Sequence, residues 1–310
     1  MRRTPNCTGL PGGMMCRLFS RRDHAQSATL RQAMGAVALA AWLGAFIPAY
    51  AEDAPQRIVS VNMCADQLLL ALADPEQIEA LSWNATRRLL SFYADKAAQF
   101  EFTRGSAEDV ILRDPDLVLA GPFAGGPAKA AMRRAGLNVA QLSVPGTPAE
   151  AADQLETFGA LIGQGERGRD EAGKLRDAFS RTGGENAGKP LKALYLQRRG
   201  VVTGRGTMMD ALLRAAGLEN AVETQGFAQI GVERLATIDA DLLILDGQGL
   251  RGDGDAADQG AAILAHPIVA SRFPPERRVV VPQSEIICAG PPLARALERL
   301  RSAARELHRH

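Results

Sequence analysis

Outside its first 51 residues the chain has few side chains able to do covalent or metal chemistry. Thiols occur only at Cys64 and Cys288, and imidazoles only at His266, His308 and His310. Two thiols permit a single bridge, a ligand or metal contact, or two unrelated groups. A bridge requires Cα atoms within about 7 Å. So few histidines, two of them at the extreme C-terminus, argue against a dedicated zinc or manganese site. G-x-S-x-G, H-E-x-x-H and a nucleophile–histidine pairing are missing, so no catalytic residue and no metal ligand is assigned. The aspartates of "RGDGDAADQG" do not match a calcium loop and read as a solvated insertion. Recognition chemistry is better represented. Trp83 offers a flat aromatic face, and Arg205 in "TGRGT" offers a cation, although "GRG" is too short for a phosphate loop.

Two carboxylates stand out by position. "SAEDVILRDPDLVLAG" (Ser106 to Gly121) is nearly respelled by "VERLATIDADLLILDG" (Val232 to Gly247). Glu108 aligns with Glu233, Asp114 with Asp239 and Asp116 with Asp241, all at an offset of 125 residues. Each glutamate falls in the first turn of a short helix, where a carboxylate complements the helix dipole by about 0.3–1 kcal/mol. That effect accounts for either one alone but not for a matched pair.

The elements that must position these residues alternate. "RIVSV" reads as a strand, "CADQLLLALA" as a helix and "QIEALS" as a strand, followed by an irregular loop to Gly105. Ser106 with Asp109 makes a capping box for a helix stopped at Asp114-Pro115. "DLVLA" is apolar on consecutive residues, as a strand buried on both faces must be. "AKAAMRRAG", closed by Gly136, is a helix, and "NVAQLS" is a strand. Pro148 to Arg181 then has helical spacing without any strand. It would span about 45 Å if continuous, with Gly163 and Gly165 marking where it can bend. The alternation resumes with strand "LKALYLQ", helix "TMMDALLRAAG", the repeated unit, a helix "AILAHPIVA" broken by Pro267, strand "RVVVP" and a final helix from Pro291. "ADQLLLALA" also matches "MDALLRAAG", aligning Asp66 with Asp210. The pattern is α/β: two sheet-and-helix lobes, layered as a sandwich and joined by one long linker helix.

The N-terminal 51 residues read as a signal peptide. A 15-residue uncharged apolar run, Ala33 to Ile47, follows Arg17, Arg21, Arg22 and Arg31 and ends in an A-x-A pattern at Ala49 and Ala51. A spanning helix wants roughly 20 apolar residues. Six of the 36 basic and one of the 35 acidic residues lie in this segment. The remainder is therefore slightly acidic, which argues against nucleic acid as a partner. The expected organisation is signal peptide 1–51, first lobe 52–147, linker 148–187 and second lobe 188–310.

"RIVSVNMCADQLLLALA", "GSAEDVILRDPDLVLAG", "TGRGTMMDALLRAAGLEN" and "VERLATIDADLLILD" together resemble the periplasmic substrate-binding proteins of iron-siderophore and vitamin B12 ABC importers. The resemblance runs from Arg57 to the final helix. It implies a class III binding-protein fold, two lobes facing across a cleft with a rigid linker helix and little hinge motion, and export to the periplasm. It also implies docking of Glu108 and Glu233 onto arginines of an ABC permease dimer in the inner membrane. No cofactor is expected beyond the cobalt or iron a ligand carries, and a monomer is expected.

Ligands of layered parallel sheets bind beyond the carboxyl ends of the strands. That rule selects Asn62, Met63, Cys64, Trp83 and Phe123 from the first lobe. From the second it selects Gln197, Arg205, Gln248, Glu285 and Cys288. The chain shows no cluster of three arginines for a tri-anionic siderophore, which tilts the expectation toward a corrinoid over a ferric chelate. A sensor or scaffold on the same fold is the alternative, and a periplasmic metal- or haem-handling enzyme a more remote one.

Overall fold

The computed structural model describes residues 54–123, 125–181, 191–247 and 263–309. The signal-peptide segment, Gln248 and the "RGDGDAADQG" insertion lie outside them. The first half runs β1 (Ile58–Ser60), α1 (Met63–Leu72), β2 (Ile78–Ser82), α2 (Ala94–Ala97), β3 (Phe102–Thr103), α3 (Ala107–Leu112), β4 (Leu117–Ala120), α4 (Gly126–Arg134) and β5 (Val139–Gln141). Its sheet is parallel throughout, in the order β3-β2-β1-β4-β5. The stretch expected to be an irregular loop after Ser82 thus contains α2 and the edge strand β3. Two residues of pairing are too short to leave a periodic signal.

The linker is a hairpin of two helices, α5 (Pro148–Leu161) and α6 (Gly165–Ser180), in place of the single long helix expected. The helix breaks where Gly163 takes φ +75°. α6 then folds back so closely that a Cβ on Gly159 would stand 2.8 Å from the Gly168 Cα. Glycine is what permits this approach. Arg176 closes the hairpin's open end by bridging Asp153, at 2.7 Å, and Glu156.

The second half runs β6 (Leu191–Leu196), β7 (Val201–Thr203), α7 (Met208–Ala215), β8 (Leu218–Asn220), β9 (Phe227–Gln229), α8 (Val232–Thr237), β10 (Leu242–Leu245), α9 (Pro267–Arg272), β11 (Arg278–Val280), α10 (Gln283–Ile286) and α11 (Leu293–Leu307). Its sheet has the order β11-β10-β6-β7-β9, with β8 also pairing β6. β7 is antiparallel to both β6 and β9, so this sheet is mixed. Pro267 begins α9 where it was expected to break a helix. His266 caps that helix, its Nδ1 accepting from the Ile268 amide at 3.2 Å.

The repeat is structural as well as textual. α3 and β4, moved by 125 residues, coincide with the bounds of α8 and β10. Asp116 accepts from the Gln56 and Arg57 amides just ahead of β1, and Asp241 accepts from the Lys192 amide in β6 at 2.9 Å. The two aspartates therefore staple each half's central strand to its repeated one. Strand residues alternate between cores. Ile58, Leu117, Leu119, Ala193, Tyr195, Leu242 and Ile244 join one large cluster with α1, α5, α6, α7 and α11. Val59 and Val118 face a small core under α3 and α4. Leu194, Leu196, Leu243 and Leu245 face another under α9.

Asp66 and Asp210, also aligned by sequence, are buried polar latches. Asp66 accepts from the Ser82 amide at 3.0 Å and hydroxyl at 2.5 Å, fixing the end of β2. Asp210 accepts from the Gly206 amide at 3.1 Å and Asn220 Nδ2 at 3.2 Å, and pairs with Arg214. Burial pushes the Asp66 carboxyl up to about 7, against the lowering effect of the Ser60 and Ser82 hydrogen bonds. A carboxyl raised on folding stabilises fully below its unfolded value of 3.8 and progressively less as pH climbs through 7. Asp66→Asn removes this dependence. Its urea midpoint should gain on the native protein's between pH 4 and pH 7, by on the order of 3–4 kcal/mol in unfolding free energy. A difference between the two proteins that is flat with pH would refute it.

Candidate functional site

The carboxyl ends of the two sheets converge, and the residue pair that joins them is explicit. Cys64, in the first turn of α1 just beyond β1, is disulfide-bonded to Cys288, beyond β11, with Cα atoms 4.9 Å apart. The bridge spans 224 residues and links the two halves. In the chain-entropy account, closing so long a loop stabilises by on the order of 5 kcal/mol. Nearby, the Arg295 guanidinium of α11 lies over the Phe92 ring at 5.2 Å, a second tie between the halves.

On the first-half wall, Trp83 follows β2 directly and is 53% exposed. Its amide donates to the Thr103 carbonyl at 3.1 Å, and the Arg87 guanidinium stands 5.3 Å from its ring centroid. Phe123, beyond β4, is 89% exposed. Two aromatic side chains left in water at the ends of β2 and β4, the strands flanking β1, are an unusual use of apolar surface in a chain with 5% aromatic residues. Asn62 is partly committed, because its side-chain oxygen caps α1 by accepting from the Cys64 and Ala65 amides at 3.0 and 3.1 Å. Met63 opens α1 and is half-buried. Lys129 is buried, its ammonium donating to the Gly121 carbonyl at 2.9 Å and to Gln141 Oε1 at 3.0 Å. It braces the Phe123 loop from below.

On the second-half wall, Gln197 starts the tight turn to β7, its amide donating to the Val201 carbonyl at 2.8 Å. Gln229, at the end of β9, donates to the Arg199 carbonyl at 2.7 Å, placing that strand's carboxyl end beside the same turn. Ile287, next to the disulfide, is exposed.

Two expected ligand contacts are corrected. Glu285 is buried, and Arg299 Nε donates to both of its carboxylate oxygens, at 3.2 and 3.0 Å. Its charge is spent tying α10 to α11 and does not face the cleft. Arg205 follows β7, and because β7 runs antiparallel to β6 its carboxyl end points away from the cleft. Arg205 instead lines a polar cavity of about 860 Å³ with Lys192, at the amino end of β6. Counter-charges crowd that cavity: Lys192 pairs with Asp239 at 2.7 Å and Arg214 with Asp210 at 2.9 Å. It draws on the second half alone, so it is not the site at which the two walls meet. Arg87 and Gln229 were not anticipated. The "VVTG" and "FAQ" segments flanking α7 and β8 hint at a hairpin-like pair, which would have exposed the Arg205 reversal.

Glu108 and Glu233 are both exposed in the first turns of α3 and α8, and neither enters an ion pair with another described residue. A helix that feeds a parallel strand starts at the strands' carboxyl end. Both glutamates therefore flank the cleft side of their lobes. Their surroundings differ: Leu112, one turn beyond Glu108, is 86% exposed, while the corresponding residue beyond Glu233 is Thr237.

No described helix is long and apolar enough to cross a membrane, and no group of three or more metal-ligating side chains occurs among the described residues. Over 223 residues the chain is 25% identical to the cobalamin-binding protein of Halobacterium salinarum, covering 66% of this chain and 58% of that one. The chain thus spans less than two thirds of that relative's length. The fold is that of a periplasmic heme binding protein from Pseudomonas aeruginosa (TM-score 0.65, 22% identity, 80% of this chain and 92% of the other). It is equally that of the periplasmic vitamin B12 binding protein of Vibrio cholerae (TM-score 0.61, 16% identity, 83% and 99%). Two-lobed binding proteins of class III are the structural neighbours. Residues 58–272 match the family model described as periplasmic binding protein, and the chain belongs to that family.

Proposed function

We propose that this protein is the soluble periplasmic substrate-binding component of an ABC importer, exported by residues 1–51. On this reading it captures a corrinoid between its two lobes and delivers it to a two-subunit permease in the inner membrane. The observation that carries the ligand reading is the exposed Trp83, with Arg87 over its ring and the exposed Phe123 on the same wall. A flat, largely apolar macrocycle is the ligand class that such a wall serves best. A corrinoid brings its own ligands to cobalt, whereas haem iron is ordinarily held by a protein side chain. The described tyrosines are poorly suited to that task. Tyr195 is buried, its phenol pushed upward by desolvation, and burial lifts that of Tyr93 to about 12. The cobalamin-binding relative points the same way. Gln197 on the opposite wall provides a polar partner for the amide-bearing edge of a corrin, and Gln248 is assigned with it from sequence.

Incubation of the purified protein with cyanocobalamin, haemin or a ferric hydroxamate, followed by desalting and absorbance, tests the ligand. The corrinoid band should be retained, and Trp83→Ala should weaken binding about three- to tenfold, the scale of one aromatic contact. Retention of haemin alone, lost in Met63→Ala, would replace the corrinoid by haem.

The permease reading is supported by the paired glutamates. Two carboxylates at equivalent points of two lobes suit a partner that is itself two-fold, and an exposed pair on one lobe would contribute only about 0–1 kcal/mol. Glu108→Ala combined with Glu233→Ala should abolish ligand uptake by cells while cyanocobalamin affinity in vitro stays within twofold. Normal uptake by the double variant would remove the docking role. Loss of corrinoid uptake on deleting the gene separates an importer component from a sensor or scaffold.

A further inference from the structure

We infer that the Cys64–Cys288 disulfide is a positioning element of the ligand cleft, strapping the two lobe floors together so that the binding site is completed only after oxidation. The inference rests on reading the interlobe cleft as the ligand site. The bond joins two anchored elements. Cys64 sits in the first turn of α1, whose leading amides are held by the Asn62 side chain and whose Leu68, Leu69 and Leu72 are buried in the shared core. Cys288 follows α10 and stands three residues before Pro291, and Pro291-Pro292 launch α11 with Leu293 and Leu297 in that same core. The non-covalent ties at this end are the Arg295–Phe92 contact, Gly290 lying against Leu68, and Ala289 in the shared core; the disulfide is the covalent one.

The residues beside the bond lie beyond the strands' carboxyl ends, where the ligand is proposed to bind. Asn62 and Met63 precede Cys64, and the exposed Ile287 precedes Cys288. Fixing the two sulfurs therefore fixes the floor from both lobes at once. Bound shape complementarity to a rigid macrocycle depends on such prior ordering, because a floor that must be ordered on binding subtracts from affinity. The bond forms by thiol–disulfide exchange. The two cysteine thiols surrender two protons and two electrons, and the disulfide of an oxidising protein partner is taken to its dithiol. Such partners act outside the reducing cytoplasm, so a chain that has not been exported has an unstrapped cleft.

The test uses the exported full-length protein in three forms: native, native treated with dithiothreitol, and Cys64→Ala/Cys288→Ala. Hydrogen exchange is followed by mass spectrometry, with cyanocobalamin affinity measured alongside and circular dichroism confirming that each form is folded. Segments 61–68 and 283–293 should exchange at least fivefold faster in the reduced and double-variant forms, with segment 126–141 unchanged. Cyanocobalamin should bind those forms about tenfold more weakly. Equal exchange at both floor segments in all three forms, or two free thiols titrated in native protein isolated without reductant, would overturn the strap. Should oxidised native protein bind no cyanocobalamin, the ligand reading falls, and the exchange comparison alone still decides the strap.

Discussion

The inner faces of both sheets drain into a single apolar core, and most of the molecule follows from that. Strands such as β4 and β10 are buried on both sides, so each needs two covering layers. Their outer faces are covered locally, by α3 and α4 in one half and by α8 and α9 in the other. Their inner faces are covered in common, by α1, α5, α6, α7 and α11. Neither half can close its inner face without helices from the shared layer. Two lobes built this way have little freedom to swing apart, since wide opening would return buried leucine surface to water at about 25 cal/mol per Å². The helical hairpin of α5 and α6 suits the same constraint. Its second helix contributes Ala172 and Leu175 to the shared core, and Arg301 of α11 donates to the Ala178 carbonyl at its end.

A repeated unit placed twice on such a core acquires an approximate symmetry, and the polar residues that recur are those that hold the unit in register. Asp116 and Asp241 each accept from a backbone amide at or just ahead of the neighbouring central strand. Each also donates its own amide back to that segment, to the carbonyls of Arg57 and Lys192. A carboxylate doing this supplies a charge-assisted hydrogen bond where a parallel sheet begins and ladder partners run out. Asp66 does comparable work at the other end, on the loop that leaves β2, and Asp210 holds the loop that leaves the reversed β7, beside the amino end of β6. Four recurrent carboxylates are thereby explained by register. The recurrence of Glu108 and Glu233 is not, because both point into water with no described partner, and that contrast is what sets them apart as a surface feature.

The parallel first sheet was legible because its strands carry unbroken apolar runs and its helices carry clear caps, as with Ser106 accepting from the Asp109 amide at 3.2 Å. Asp109 itself does not complete the capping box. Its carboxylate goes instead to the Thr103 hydroxyl and to Arg113, a tertiary choice that spacing does not encode. The second sheet was harder. β7, β8 and β9 are three residues each, and the reversal of β7 depends on a tight turn at Gln197 to Gly200 in which Arg199 adopts φ 60°. An arginine in that conformation is not foreseen from residue type. Placing Arg205 at the cleft followed from assuming that every strand points the same way. Glu285 was misplaced for another reason: a carboxylate beyond a strand end looks available until Arg299, one helix later, is seen to take it. Trp83 and Phe123 were selected because each follows a strand, and their exposure there follows from topology alone.

Under the importer reading, a cleft whose walls share a core and whose floor is covalently closed exchanges its ligand by small displacements, and this bears on how the exposed features relate. A closed floor leaves the rim as the part free to yield, and the rim is where Trp83 and Phe123 stand in water and where α3 and α8 begin. A partner that engages both helix starts bears on the outer layer of each lobe, whereas α1 and α11, which flank the disulfide, belong to the inner layer and its shared core. Unequal flanks, Leu112 on one lobe against Thr237 on the other, make the two engagements chemically different even though the glutamates match. Under the importer reading, the stiffness that preorganises the cleft for capture is therefore also what transmits a push at the lobe surfaces to the ligand. A loosely hinged pair of lobes would absorb the same push by rotating.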